Sequence, residues 1–419
     1  MPEESQSFVP DTETQAHPEI PLEFNPLQQD FRQNPYPTYR RFREADPVHW
    51  SAVFGFWVCT RYDDIVSILR HSKASANPRD WERFDGYVEA LGETGPAYNM
   101  QSRWMLLKNP PDHTRLRKLV TKAFTPRVVE NMRAHIQDIV HGLLDTVHAK
   151  RRFDIIQDVA FPLPVIVIAE LIGVPPQDRE YFKDWTAALA RSLDPIITPE
   201  ITQAADKATE DLIAYFTTLV AERRDSPQND LLSGLIAAEE EGDKLDEDEL
   251  LATAILLFAA GHETTMNLIG NGMLALFRNP DQMAKLKADP SLIKTAVEEF
   301  LRYDGSVQIT ARAALEDIEV GGKTIRKNQQ ALLLLGAANR DPAHFSDPDR
   351  LDITRQENPH LTFGHGIHHC LGAPLARVET QIAINSMLRR MPDIQPATDQ
   401  LEWRDMLTLR GLKALPVVF

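Results

Sequence analysis

The stretch from Asp246 to Phe277 most narrows what this chain can fold into. It keeps helical spacing throughout and is apolar in its middle, so it has to run through a core rather than lie on a surface. Yet near its centre stand Ala260, Gly261, His262, Glu263, Thr264 and Thr265. A glycine inside a helix costs roughly 1 kcal/mol relative to alanine, which points to close approach of a ligand or another backbone. Thr264 can bond the carbonyl of residue 260 and so bend or open the helix. A glycine that merely packs two helices together is the bland alternative.

The rest of the chain supplies such a core. It has 419 residues, of which 43% are hydrophobic, so a disordered chain is excluded. Helical spacing dominates from Pro111 to about Arg278 and returns at Leu292–Tyr303 and Cys370–Arg390. Val48–Thr60 around Gly55 is expected as a hairpin, and Ile309–Lys327 with Gly321 and Gly322 as short strands with a tight turn. Ser72–Arg103 shows little periodicity and is expected to be a long irregular segment, of the kind that forms lids and binding loops. Residues 1–30, rich in proline and acids, are expected as a flexible arm. Residues 31–419 are expected as one mainly α domain with a small β portion.

Charge and cysteine count exclude several functions. A net charge of −16 argues against nucleic acid as the main partner. Two cysteines, Cys59 and Cys370, cannot make a disulfide-rich scaffold or a four-cysteine metal site. No apolar run approaches the roughly 18 to 20 residues needed to span a bilayer. The first cation is Arg32, which fits neither a secretory signal nor an Arg-rich transit peptide. A soluble cytoplasmic protein without membrane contact is expected.

The segment from Phe363 to Gly372 carries the most chemistry. Cys370 stands at the expected start of a helix, where free N–H groups and the positive helix end favour a thiolate. Gly364, Gly366 and Gly372 let the backbone come close to something flat or bulky. Three readings of Cys370 follow from its type and place. It is a buried structural thiol. It binds zinc with His365, His368 and His369, although ligands so close in sequence reach a tetrahedron with difficulty. Or it holds haem iron as an axial thiolate.

Phe363, Gly366, His368, Cys370 and Gly372 match F-x-x-G-x-H-x-C-x-G, and in this the chain resembles the haem-thiolate monooxygenases, the cytochrome P-450 superfamily. Further elements follow in the family's order from about Asn34 to Phe419. The run Ala260-Gly261-His262-Glu263-Thr264 matches A-G-x-E-T, and Glu299 with Arg302 matches E-x-x-R. His113 and Arg117, on one helix face, match H-x-x-x-R. The resemblance implies a helical fold around haem b, with Cys370 as iron ligand, Phe363 packed beside the thiolate and Gly372 giving the ring room. His113, Arg117, His368 and Arg312 are implied to bind the haem propionates. Ala260 and Gly261 are implied to form the oxygen groove, with Thr264 and Glu263 activating O2 and relaying protons. Glu299 and Arg302 are implied to form a buried structural pair, with Arg350 as a third partner.

The same resemblance implies oxidation of an apolar small molecule: a fatty acyl chain, a polyketide or macrolide, or a steroid. Electrons come from NAD(P)H, and with no G-x-G-x-x-G after a strand they need a separate ferredoxin or flavodoxin with its reductase. Arg115, Arg117, Lys118, Lys122 and Arg127 form a basic run that suits such an acidic carrier. Leu256 and Leu257 are expected on the groove wall. Trp81, Phe84, Tyr87, Tyr98, Met100 and Leu189 are expected to line the substrate, and Val307 to Ile309 to face it. A peroxide-using or carbon–carbon-cleaving enzyme is the alternative within the fold. A cysteine-nucleophile hydrolase and a non-catalytic haem sensor are the alternatives outside that chemistry.

Overall fold

The long helix forms as its sequence demands and organises everything else. A computed structural model describes residues 22–84, 86, 95–240 and 245–419, so Tyr87 and most of the expected arm lie outside the described residues. The helix runs from Glu247 to Arg278 without a break. Its start is a reciprocal cap: the Asp246 carboxylate accepts from the Glu249 N–H at 2.7 Å, and Glu249 accepts from the Asp246 N–H at 3.3 Å. From Leu250 to Phe258 and again from Thr265 to Leu276 it is buried all round. Residues of several helices pack on it in one core, among them Ile156, Phe182, Phe216, Phe300 and Ile384.

A smaller β portion flanks the helices. Five strands are ordered Val48–Ser51, Phe56–Cys59, Gln330–Leu334, Ile309–Ala314, Ala74–Ser75. Only the pairing of Phe56–Cys59 with Gln330–Leu334 is parallel. Gly55 turns the first hairpin at φ +71°, a conformation that glycine adopts at little cost.

Four expectations need correction. The described end of the arm is not extended: Phe24 is buried and meets Phe31 and Phe42 edge-on, because its apolar ring finds a pocket the local composition does not reveal. The segment 72–103 contains a short strand, Ala74–Ser75, and a helix, Pro96–Gln101. Pro126–Lys150, whose unbroken helical spacing predicts one helix, is two helices, Pro126–Asn131 and Arg133–His148. The last long helix begins at Ala373 rather than Cys370, which leaves the cysteine in the loop before it. Among the described residues no helix is long and apolar enough to cross a membrane.

Candidate functional site

A cavity of about 590 Å³ lies between the long helix, the cysteine loop and the five-stranded sheet. Cys370 opens onto it. The loop is held in place by short backbone bonds, Cys370 N–H to the Phe363 carbonyl at 2.8 Å and His369 N–H to Gly366 at 3.1 Å. Gly364 and Gly366 both sit at φ +71°. Gly366 does not face the cavity; a Cβ there would stand 2.9 Å from the Leu69 carbonyl. At Gly372 the nearest atom to an added Cβ is the Cys370 sulfur, at 4.0 Å. Phe363 lines the cavity, and Arg377 stacks on its ring at 4.6 Å.

The thiol differs from expectation. Burial away from bulk water pushes its pKa up, and this outweighs the backbone N–H groups of Gly372 and Ala373 and the cations Arg117 and Arg377, all of which pull it down. Helix-start donors do reach the sulfur, and burial opposes them.

One wall of the cavity gathers cationic and donor side chains without an anion. His113, Arg117, Arg312 and His368 all line it. The rings of His113 and His368 lie 4.3 Å apart, and His113 Nδ1 is buried without a partner. Burial, then Arg312 and His113, pushes His368 down to about 3. Burial lowers Arg312 to about 10; its guanidinium bonds only the Ala311 carbonyl at 2.7 Å and Thr310 Oγ1 at 3.3 Å. Arg117 has turned to the cysteine loop, donating to the carbonyls of Ile367 at 3.0 Å and His369 at 2.5 Å. No carboxylate of the described residues pairs with any of the four. Arg312 is a buried cation without counter-charge, which is costly, so this wall suits a ligand that brings its own anions.

The opposite wall is the middle of the long helix. Ala260, Gly261, Thr264, Leu256 and Leu257 line the cavity. Thr264 Oγ1 donates to the Ala260 carbonyl at 3.1 Å. Gly261 also serves packing, since a Cβ there would stand 3.0 Å from Ile168. Glu263 does not line the cavity. Its carboxyl is turned to the C-terminal segment, where Oε1 accepts from Arg404 Nη1 at 3.0 Å and Oε2 has no partner. Burial raises it to about 7, against the pull of Arg404.

Trp81, Phe84, Tyr98 and Leu189 line the cavity, as do Val307 and Ile309; Met100 is in the core beside it. Leu189 comes from the helix Phe182–Arg191, and Thr408 and Leu409 from the C-terminal segment. Outside the cavity, Glu299 and Arg302 are fully buried and paired through two bonds of 2.8 Å. The third side chain is Arg355, 3.2 Å from Glu299, and not Arg350, which offers Arg302 only its carbonyl. Arg115 is likewise withdrawn from the basic run, since it pairs with Glu249. Lys118, Lys122 and Arg127 remain exposed.

Arg355, Arg404 and Glu379 were not singled out from sequence. Glu379 follows the cysteine loop, reaches the cavity and is buried with one oxygen unpartnered, and burial pushes its carboxyl well above the usual range. An acid on the apolar face of the last helix was a usable signal; Arg355 and Arg404 lie in irregular segments, where spacing says nothing about partners.

Haem fits these residues. The thiol at the end of the anion-free wall, the unpartnered His113 Nδ1 and the open space beside Gly372 match a flat group with a metal to ligate and two carboxylates to place. Zinc does not fit, for no three His, Cys, Asp or Glu side chains of the described residues gather to hold an ion.

Comparison with known proteins agrees with the geometry. The family model for Cytochrome P450 matches residues 18–402. The chain is 46% identical to Cytochrome P450 CYP107DY1 of Priestia megaterium, over 87% of this chain and 89% of that one. It is 43% identical to the biotin biosynthesis cytochrome P450 of Bacillus subtilis, over 93% and 97% of the two chains. The solved structure of P450BioI with an acyl carrier protein ligated to hexadec-9Z-enoic acid superposes with a TM-score of 0.87 at 43% identity, covering 93% of this chain and 99% of that one.

Proposed function

The chain belongs to the cytochrome P450 family, and from that premise we propose how its own side chains carry out the family's reaction. It is a haem-thiolate monooxygenase that activates O2 and oxidises an apolar small molecule. Haem, when bound, would supply the oxygen activation and the oxidant. We assign residues 31–419 to one catalytic domain.

Cys370 would hold the iron through Sγ. Gly372 and Ala373 N–H groups steady the sulfur. His113, Arg312 and His368 would take the two propionates, and Arg117 braces the loop through the Ile367 and His369 carbonyls. Thr264 offers its hydroxyl to the cavity, and Glu263 serves as proton source behind it; a carboxyl held near 7 can both give and regain a proton at neutral pH. Glu299 and Arg302 fix the loop scaffold without touching the reacting atoms.

The substrate is a long apolar chain of the fatty-acyl kind. Leu189, Leu256, Leu257 and Leu409 supply an apolar wall, and P450BioI, of similar fold, is known with a fatty acyl chain on its carrier. Electrons arrive from NAD(P)H through a separate ferredoxin or flavodoxin. The single observation that carries the reading is Cys370 at the end of a wall of arginine and histidine donors that no carboxylate of the described residues pairs with. The test is the carbon monoxide difference spectrum of the reduced protein. A long-wavelength Soret band is expected in the wild type and absent in Cys370→Ser; a histidine-type band in the wild type overturns the assignment.

A further inference from the structure

Glu263 sits in the sequence where a cavity-facing acid is expected, yet its carboxyl faces the other way. Only 3% of its side chain is exposed, and among the described residues its one polar partner is Arg404. Their bond is incomplete. Arginine can grip a carboxylate through two parallel bonds, but here one bond of 3.0 Å forms, while Glu263 Oε2 and Arg404 Nε are both left buried and bare. Arg404 Nη2 makes only a 3.8 Å contact with the Met266 sulfur. A pair with an unused donor and an unused acceptor separates more easily than a closed fork.

Arg404 belongs to a turn that touches the substrate space. Its N–H bonds the Gly411 carbonyl at 2.9 Å, and Trp403 pairs with Leu412, closing the base. The tip carries Thr408 and Leu409, which line the cavity. Asp194, just beyond the helix Phe182–Arg191, ties the tip down by accepting from the N–H groups of Leu407 at 3.1 Å and Thr408 at 2.8 Å. The base lies hard against the long helix one turn after Glu263: a Cβ on Gly411 would stand 1.9 Å from Asn267 Oδ1. Ligand contact at the tip and the hold on the acid at the base are therefore parts of one small hydrogen-bonded turn.

We propose that Arg404 is a positioning residue for Glu263, holding its carboxyl out of the cavity until a substrate pressing on Thr408 and Leu409 shifts the turn. Proton delivery then depends on an occupied cavity. This rests on the reading of Glu263 as the proton source. The charged groups facing that carboxyl are Arg404, Asp194 and Arg191, and of these Arg404 pulls its pKa down most.

Infrared spectroscopy of the haem-loaded protein tests this, with the Glu263 carboxyl band identified by its loss in Glu263→Gln. In the first arm no substrate is present. The band is expected to titrate at higher pH in Arg404→Gln than in wild type, with Arg404→Lys restoring the wild-type midpoint. In the second arm hexadec-9Z-enoic acid is the probe. Its binding is expected to shift the band in wild type and in Arg404→Lys, and to leave it unmoved in Arg404→Gln, whose carboxyl is already released. An unchanged midpoint in Arg404→Gln, or an equal substrate-induced shift in all three proteins, overturns the proposal. The carbon monoxide band is recorded for each variant. If it is intact while both arms fail, the positioning role alone is wrong; if it is absent from wild type, the monooxygenase site assignment is wrong as well. A probe that fails to move the haem spin state removes the fatty-acyl reading, and the first arm then decides.

Discussion

His262 shows how one buried side chain makes stability depend on pH. It lies within the A-G-x-E-T run but points away from the cavity, with Nε2 3.1 Å from Thr186 Oγ1 and Nδ1 3.3 Å from the Phe258 carbonyl. Burial pushes it down to about 4. In the unfolded chain it titrates near 6.5, so between about 6.5 and 4 the unfolded state takes up a proton that the folded state refuses. Folding is therefore weakened as pH falls through that window, by up to about 3 kcal/mol at its lower end. Glu263 has the opposite sign: its raised pKa weakens folding as pH rises from 4.5 towards about 7. Denaturant unfolding of wild type and His262→Gln at pH 7 and pH 4.5 is expected to show a smaller acid loss in the variant. Equal losses would mean that the histidine is solvated in the folded protein.

At the scale of elements, the cysteine loop is held by geometry rather than by its own propensity. Gly366 combines φ +71° with the Leu69 carbonyl where a Cβ would stand. Gly366→Ala is expected to cost roughly 1–2 kcal/mol from the backbone alone, and to loosen haem, seen as faster transfer to an apoprotein acceptor. Beneath the loop, Glu299 accepts from Arg302, Arg355, Asn358 Nδ2 and the Asp352 N–H, while Arg302 also donates to three backbone carbonyls. Every polar side-chain atom of Glu299 and Arg302 has a partner, the condition under which a buried pair is tolerated. Breaking it from one side, as in Glu299→Gln, is expected to cost about 3–5 kcal/mol in chemical unfolding, without moving the position of the carbon monoxide band. The spacing E-x-x-R was legible from sequence, but Arg355 as third partner was not, because it arrives from an irregular segment more than fifty residues away.

Across the whole molecule, charge is distributed against its net sign. The chain carries −16, yet Lys118, Lys122 and Arg127 are exposed on the stretch that also sends Arg117 to the cysteine loop. Exposed Ile367 and Val128 lie on the cysteine loop and beside Arg127. The acidic electron carrier of the proposed function is expected to meet this patch. Lys118→Glu with Lys122→Glu is expected to slow reduction by a ferredoxin and flatten its salt dependence. Unchanged kinetics would place the carrier elsewhere.

Periodicity and motif spacing alone were enough to read the long helix, the hairpin at Gly55, the cysteine loop and the family, because each depends on residues close together in the chain. Turning Glu263 away from the cavity, pairing Arg115 with Glu249, gathering two arginines and two histidines on one wall without a carboxylate and starting the last helix three residues late were decided only in the tertiary structure. Side-chain direction, burial and counter-charge are properties of what packs nearby, and those neighbours come from segments that the order of residues does not place side by side.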